Sequence, residues 1–120
     1  MSRTLTLAVA SCCPPLLAAP LSSEDATQLA AAFNVLAEPA RLRLLSLIAA
    51  HPDGCACTCE LTEPIGLSQP TVTHHLKTLH DAGFLTRQRC GRFTYYRILP
   101  ERLAALQAAL DVTTPHQASA

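Results

Sequence analysis

The chain has 120 residues, 49% of them apolar but only 4% aromatic, and nine Lys and Arg balance nine Asp and Glu. That length allows one domain with a modest core, of a size that often needs a shared interface for stability. Core packing by Leu and Ala favours helices, and neither a nucleophile–base constellation nor a Gly-rich phosphate loop marks an enzyme.

Zero net charge taken alone argues against a nucleic-acid partner, but the distribution of charge matters more than its sum. Residues 68–97 hold Lys77, Arg87, Arg89, Arg92 and Arg97 against Asp81 alone, a local excess of +4. Residues 22–66 hold six acids against Arg41 and Arg43, an excess of −4. The pattern is a basic head on an acidic body.

Residues 1–21 are expected to form a flexible arm, stiffened by Pro14, Pro15 and Pro20, that carries Cys12 and Cys13 to a site elsewhere. Arg3, the run Leu5 to Ala10 and Val9-Ala10-Ser11-Cys12 mimic a lipoprotein export signal ending at a modifiable cysteine. Against that, the apolar run is short, Thr6 interrupts it and a single Arg is a weak positive region. No stretch approaches the roughly 20 apolar residues of a membrane span. A cytoplasmic protein without a membrane partner is expected.

The domain is expected over residues 22–111, followed by a disordered tail at 112–120. Ser22 or Ser23 caps a first helix with Glu24 and Asp25 at its positive end and Leu29, Ala32, Phe33 and Leu36 on one face. Glu38-Pro39 interrupts the chain. Ala40 to Ala50 then forms a second helix, with Leu42, Leu45 and Ala49 on one face and Leu44, Leu47 and Ile48 widening the stripe. Arg41 and Arg43 lie at its edge, where pairing with local acids is the simplest expectation.

After the turn His51-Pro52-Asp53-Gly54 come Cys55, Cys57 and Cys59, opening a short helix from Glu60 to Ile65. Six cysteines in a reducing cytoplasm are not expected to form structural disulfides. Buried cysteines would occupy helix core positions, whereas these lie in the arm, at a turn-to-helix junction and, for Cys90, at a hairpin tip. Amides at a helix N-terminus stabilise thiolates, and such a ligand set selects soft, thiophilic ions.

The stretch Ser68 to Leu79 is the centre of the chain. Ser68 suits an N-cap, Pro70 fits the first turn, Val72, Leu76 and Leu79 make one apolar stripe, and Gly83 closes the helix. The other face carries Gln69, Thr71, Thr73, His74, His75, Lys77 and Thr78, with no carboxylate before Asp81. An ordinary solvated helix face mixes Glu with Lys; this one suits a polyanion. Behind it, Phe84 to Arg89, a Cys90-Gly91 turn and Arg92 to Ile98 form a β-hairpin carrying four arginines. A neutral polar helix before such a hairpin makes a winged helix-turn-helix, mainly α with a β-hairpin wing. Pro100 and Glu101 begin a last helix with Leu103, Leu106 and Leu110 in register.

S-Q-P-T-V-T-H-H-L-K-T-L, followed by A-G-F-L and R-x-G-R-x-x-Y-Y-R, resembles the ArsR/SmtB family of metal-responsive repressors. The similarity runs from about Leu21 to Leu110 and includes the second-helix stretch A-E-P-A-R-L-R-L-L. It implies a homodimer, with the first and last helices at the dimer interface, on double-stranded operator DNA rather than RNA. Gln69, Thr71, His74 and His75 then face base edges, with Thr73 in the same DNA-binding set, while Ser68, Lys77, Thr78, Arg87, Arg89 and Arg92 hold phosphates.

Cys57-Thr58-Cys59-Glu60-Leu61 resembles the C-x-C-(D/E)-L box of arsenic and cadmium/lead sensors in this family. Cys12-Cys13 with its proline-containing linker is similar to the actinobacterial arsenic repressors, in which an arm pair joins one cysteine before the positioning helix. On that template the ligands are Cys12, Cys13 and Cys55; Cys57 and Cys59 stand as alternative or additional ligands. Arsenite As(III) and antimonite Sb(III) take three thiolates in a pyramid, which adjacent cysteines can share; a Cd(II)/Pb(II) site would recruit four. A thiol redox switch is a further alternative. The family's Asp/His/His/Glu zinc cluster has no counterpart, since His116 stands alone beyond the last helix.

Overall fold

The computed structural model describes residues 14–112. Among the described residues five helices and three strands follow in the order α1 (Ser23–Leu36), α2 (Pro39–Ala50), β1 (Cys55–Cys57), α3 (Thr58–Ile65), α4 (Gln69–Asp81), β2 (Leu85–Cys90), β3 (Phe93–Ile98) and α5 (Pro100–Ala109). The described residues fall into two compact units, Phe33–Pro100 and a second formed by the flanking segments. No helix of the described residues is long and apolar enough to cross a membrane.

In the flanking unit, Ser22 caps α1 by accepting the Asp25 N–H at 3.0 Å. Leu29 and Ala32 are buried on the expected face, which continues into the unit Phe33–Pro100 with half-buried Phe33 and Leu36. In α5 it is Leu106 and Ala109 that are buried, while Leu110 is exposed. The Leu16 N–H donates to the Ala109 carbonyl at 2.9 Å, tying the segment before α1 to the end of α5.

In the unit Phe33–Pro100, Pro39 begins α2 with the φ a first helical residue needs. Its buried stripe is Leu44, Leu45 and Ile48. Leu42 and Ala49 are exposed instead of buried, so the apolar face is narrower than the run of Leu suggests. Leu61 and Ile65 of α3 and Val72, Leu76 and Leu79 of α4 are also buried, together with Phe84, Leu85 and Tyr96.

The wing is a three-stranded antiparallel sheet in the order β1-β3-β2 rather than a hairpin alone. Cys55 pairs with Arg97, Ala56 with Tyr96 and Cys57 with Tyr95. The alternation of Cys55, Ala56 and Cys57 is thus a strand period, with fully buried Ala56 pointing opposite to its neighbours. On the other side of β3, Leu85 pairs with Ile98 and Cys90 with Phe93, leaving Gly91 and Arg92 as a two-residue loop. Gly91 takes φ +64° while Arg92, which follows it in the loop, does not have positive φ, which fits a type II′ turn. This is a winged helix-turn-helix.

Candidate functional site

The polar helix α4 is fixed at both ends. Ser68 Oγ accepts the Thr71 N–H at 3.4 Å and lies 2.9 Å from Thr71 Oγ1. At the far end the Phe84 N–H donates to Leu79 O (2.9 Å) and the Gly83 N–H to His80 O (3.0 Å), a Schellman motif closed by buried Phe84. With its apolar stripe packed, α4 leaves Gln69, Thr71, Thr73, His74 and Lys77 exposed and His75 and Thr78 half-buried.

These side chains are not equally available. Lys77 Nζ donates to Asp81 Oδ2 at 3.0 Å, and Thr78 Oγ1 donates to the His74 carbonyl at 3.0 Å. The Lys77 and His80 contacts draw the exposed Asp81 carboxyl below the usual carboxylate range. His75 Nδ1 accepts from Arg41 Nε at 3.2 Å. Burial first, and then the Arg41 charge, push His75 below histidine's ordinary range, with Glu38 opposing and His74 adding to the shift. His75 is therefore harder to protonate than an ordinary histidine, and it is in contact with α2.

Neither arginine of α2 has an acid among its hydrogen-bond partners. Arg41 also donates from Nη1 to Val35 O at 3.1 Å. Arg43 donates to Pro64 O at 3.1 Å and Ile65 O at 3.4 Å, satisfying carbonyls at the end of α3, where Gly66 (φ +76°) turns the chain toward α4. The two residues brace the helix-turn-helix from behind. Arg87, Arg89 and Arg92 are exposed on the wing, with Arg89 Nε donating to Gly91 O at 3.0 Å.

The cysteine segment lies where the wing sheet meets α3. Cys57 is the N-cap of α3: its Sγ accepts from the Glu60 backbone, and Glu60 Oε1 accepts the Cys57 N–H at 3.0 Å. Glu60 Oε2 lies 3.3 Å from His51 Nε2. Contrary to the expectation of no disulfide, Cys57 and Cys59 are bonded to each other, their Cα atoms 5.2 Å apart across the strand-to-helix corner. Cys55 is a half-buried free thiol and Cys90 an exposed one. Cys55 lines an open cavity of about 320 Å³ on the wing sheet with Thr86, Gln88, Tyr95 and Arg97. Cys12, Cys13 and His116 lie outside the described residues. Among the described residues no group of three His, Cys, Asp or Glu side chains is gathered to hold a metal ion.

Residues 38–87 match the family "Bacterial regulatory protein, arsR family". The arsenic resistance transcriptional regulator ArsR1 of Pseudomonas putida KT2440 is 45% identical over 69 residues, 58% of this chain and 52% of that protein. The chain thus matches about half the length of that relative. The antimony-specific transcriptional repressor AntR is 33% identical with a TM-score of 0.62, the match covering 74% of this chain and 79% of that one. The chain belongs to the ArsR family. The homodimeric winged helix-turn-helix DNA-binding domain Mb0332 of Mycobacterium bovis, solved by NMR, is 30% identical with a TM-score of 0.58 over 75% of this chain and 83% of that one.

Within this ArsR-family chain the matched span runs from the N-cap of α2 into β2. It holds the α4 face and the Cys55–Cys59 segment, but neither Arg89 nor Arg92 at the wing tip. Sequence reasoning left Arg41 and Arg43 outside the site; a signal was present in their i, i+2 spacing, which places them on different sides of α2.

Proposed function

We propose that this ArsR-family chain is a cytoplasmic repressor that binds double-stranded operator DNA as a homodimer and leaves it when arsenite or antimonite is captured by thiolates. Two α4 helices enter successive major grooves about 34 Å apart. Gln69, Thr71, Thr73, His74 and His75 meet base edges, while Ser68, Lys77, Thr78 and the wing arginines Arg87, Arg89 and Arg92 hold the backbone. Dimerisation is supported by the homodimeric M. bovis domain, and the inducer class by the arsenic and antimony regulators among its relatives.

The observation that carries this reading is the position of the cysteine segment. Cys55 begins a strand paired with β3 of the wing, and the same strand runs through Cys57 into the first turn of α3. An ion held there sits where the wing sheet meets α3, the helix that leads into α4. With Cys57 and Cys59 bonded to each other, Cys55 is the thiol left at this junction, in keeping with Cys12, Cys13 and Cys55 as the ligand set. Such an ion supplies soft, directional bonds that oxygen ligands do not match. Release then requires a coupling free energy of about 1–3 kcal/mol or more per site.

Fluorescence anisotropy of labelled operator DNA under reductant tests the reading. Arsenite and antimonite should dissociate the complex at lower concentration than cadmium or lead. Release by cadmium or lead alone would transfer the role to a four-thiolate site that includes Cys57 and Cys59. The Cys57–Cys59 pair favours a second reading, a thiol switch in which peroxide oxidises two thiols to the disulfide and is itself reduced to water. Peroxide-driven release without any ion, with the disulfide found by mass spectrometry, would establish that version.

A further inference from the structure

Arg41 has no part in the contacts with DNA above, yet its side chain hydrogen-bonds to the DNA-facing helix. Its guanidinium is held from two directions, Nη1 on Val35 O at 3.1 Å and Nε on His75 Nδ1 at 3.2 Å. A guanidinium has donors only, so the nitrogen it meets on His75 must carry a lone pair. In a neutral imidazole that leaves the proton on Nε2. The hydrogen bond to Arg41 occupies Nδ1, and His75 lies within the polar set of α4, between Thr71 and Thr78.

We propose that Arg41 is a positioning residue for DNA recognition: it locks His75 as an Nε2–H donor, so that His75 meets only acceptors on the operator. In the major groove these are purine N7, guanine O6 or thymine O4, and not the amino groups of adenine or cytosine. The inference rests on α4 being the DNA-facing helix, but the locking itself belongs to the free protein. Protonation of His75 would set an Nδ1–H against the Arg41 Nε–H and break the contact. The charged or titratable groups acting on His75 are Arg41, Glu38 and His74, and the first and last of these oppose its protonation.

Two measurements on the full chain decide this. Long-range ¹H–¹⁵N NMR of the free protein should show His75 with an acceptor Nδ1 and a protonated Nε2, becoming charged only below the ordinary 6.5. Arg41→Ala should mix the tautomers and return the titration toward that value, while Arg41→Lys, which keeps a donor and its charge, should retain much of the lock. Mixed tautomers in the unaltered protein overturn the proposal, even if Arg41→Ala fails to fold.

The second measurement is operator binding by a pair of His75 variants. In His75→Gln the amide nitrogen replaces Nε2 as a donor, whereas His75→Asn keeps an acceptor for Arg41 but has nothing at the Nε2 position. His75→Asn should bind about tenfold more weakly than His75→Gln, as for one lost hydrogen bond. Equal affinities, or the reverse order, overturn it. Failure of the unaltered protein to bind any operator would instead sink the DNA-facing role of α4, with the NMR result standing by itself.

Discussion

Cys57 and Glu60 cap each other across the first turn of α3: the Glu60 carboxylate accepts the Cys57 N–H at 3.0 Å, and Cys57 Sγ accepts from the Glu60 backbone. Two backbone donors at the start of the helix are thereby satisfied by residues that belong to the cysteine segment. Sulfur is a weak acceptor, so most of the stabilisation comes from the carboxylate. Glu60→Ala should cost about 1 kcal/mol of folding stability in urea, and Glu60→Gln distinctly less. Equal losses would show that the His51 contact of Glu60 matters more than the cap.

The reading face gives a second test, based on the kind of contact each side chain makes. Gln69→Ala should relax preference at one operator position and cost about 1–3 kcal/mol where the lost contact is bidentate. Arg89→Ala should weaken all sequences alike and lower the salt slope by about one unit. Gel-shift titrations on operator and scrambled duplexes at several salt concentrations separate the two. If both variants weakened both duplexes equally, α4 would not be the helix that reads sequence.

Local signals in the sequence marked α4 closely. Its Ser68 cap, the stripe of Val72, Leu76 and Leu79, and the Gly83 stop each depend on residues a few positions apart, and the structure places all of them as the spacing requires. The strand Cys55–Cys57 was not legible, because three residues are too few for an alternating pattern and β1 exists only through pairing with β3, some 40 residues away. The exposure of Leu42 and Ala49 escaped for a related reason: a helix apolar nearly all round does not say which stripe is packed. His75 looked like any other polar residue of the face, since its partner Arg41 is 34 positions away. Cys12 and Cys13, which only sequence reasoning connects with Cys55, lie outside the described residues.

The depressed His75 titration implies a stability that depends on pH. The unfolded chain takes up a proton at this residue near 6.5, whereas the folded chain, with the ring half-buried beside Arg41, takes it up only at lower pH. Between those two values the unfolded state binds more protons, so stability is fully present above about 6.5 and falls as the solution is acidified through the window. His75→Gln removes the titration. Urea unfolding from pH 7.5 to 5 should therefore show a shallower acid-side decline for His75→Gln than for the unaltered protein. Parallel curves would mean that His75 is as free to protonate in the folded chain as in the unfolded one.

The last prediction separates holding DNA from responding to the ion. None of Cys12, Cys13 and Cys55 belongs to the α4 face or the wing arginines, so Cys12→Ser with Cys13→Ser should leave operator affinity nearly unchanged. A serine hydroxyl fills the space of a thiol but is not a soft anionic ligand at neutral pH, so two of three donors are lost. The double variant should repress permanently, with arsenite unable to release it under reductant. Cys55→Ser should behave alike, because Cys55 is the free thiol of the strand that enters α3. Cys59→Ser and Cys90→Ser should still respond, Cys90 lying at the wing tip away from that junction. Anisotropy titrations of these variants and of Cys57→Ser with arsenite, and separately with cadmium, give the comparison. Retained release in Cys55→Ser together with its loss in Cys57→Ser would move the third ligand to Cys57. Normal release by the Cys12/Cys13 variant would remove the arm from the mechanism and leave the Cys55–Cys59 segment as the whole sensor.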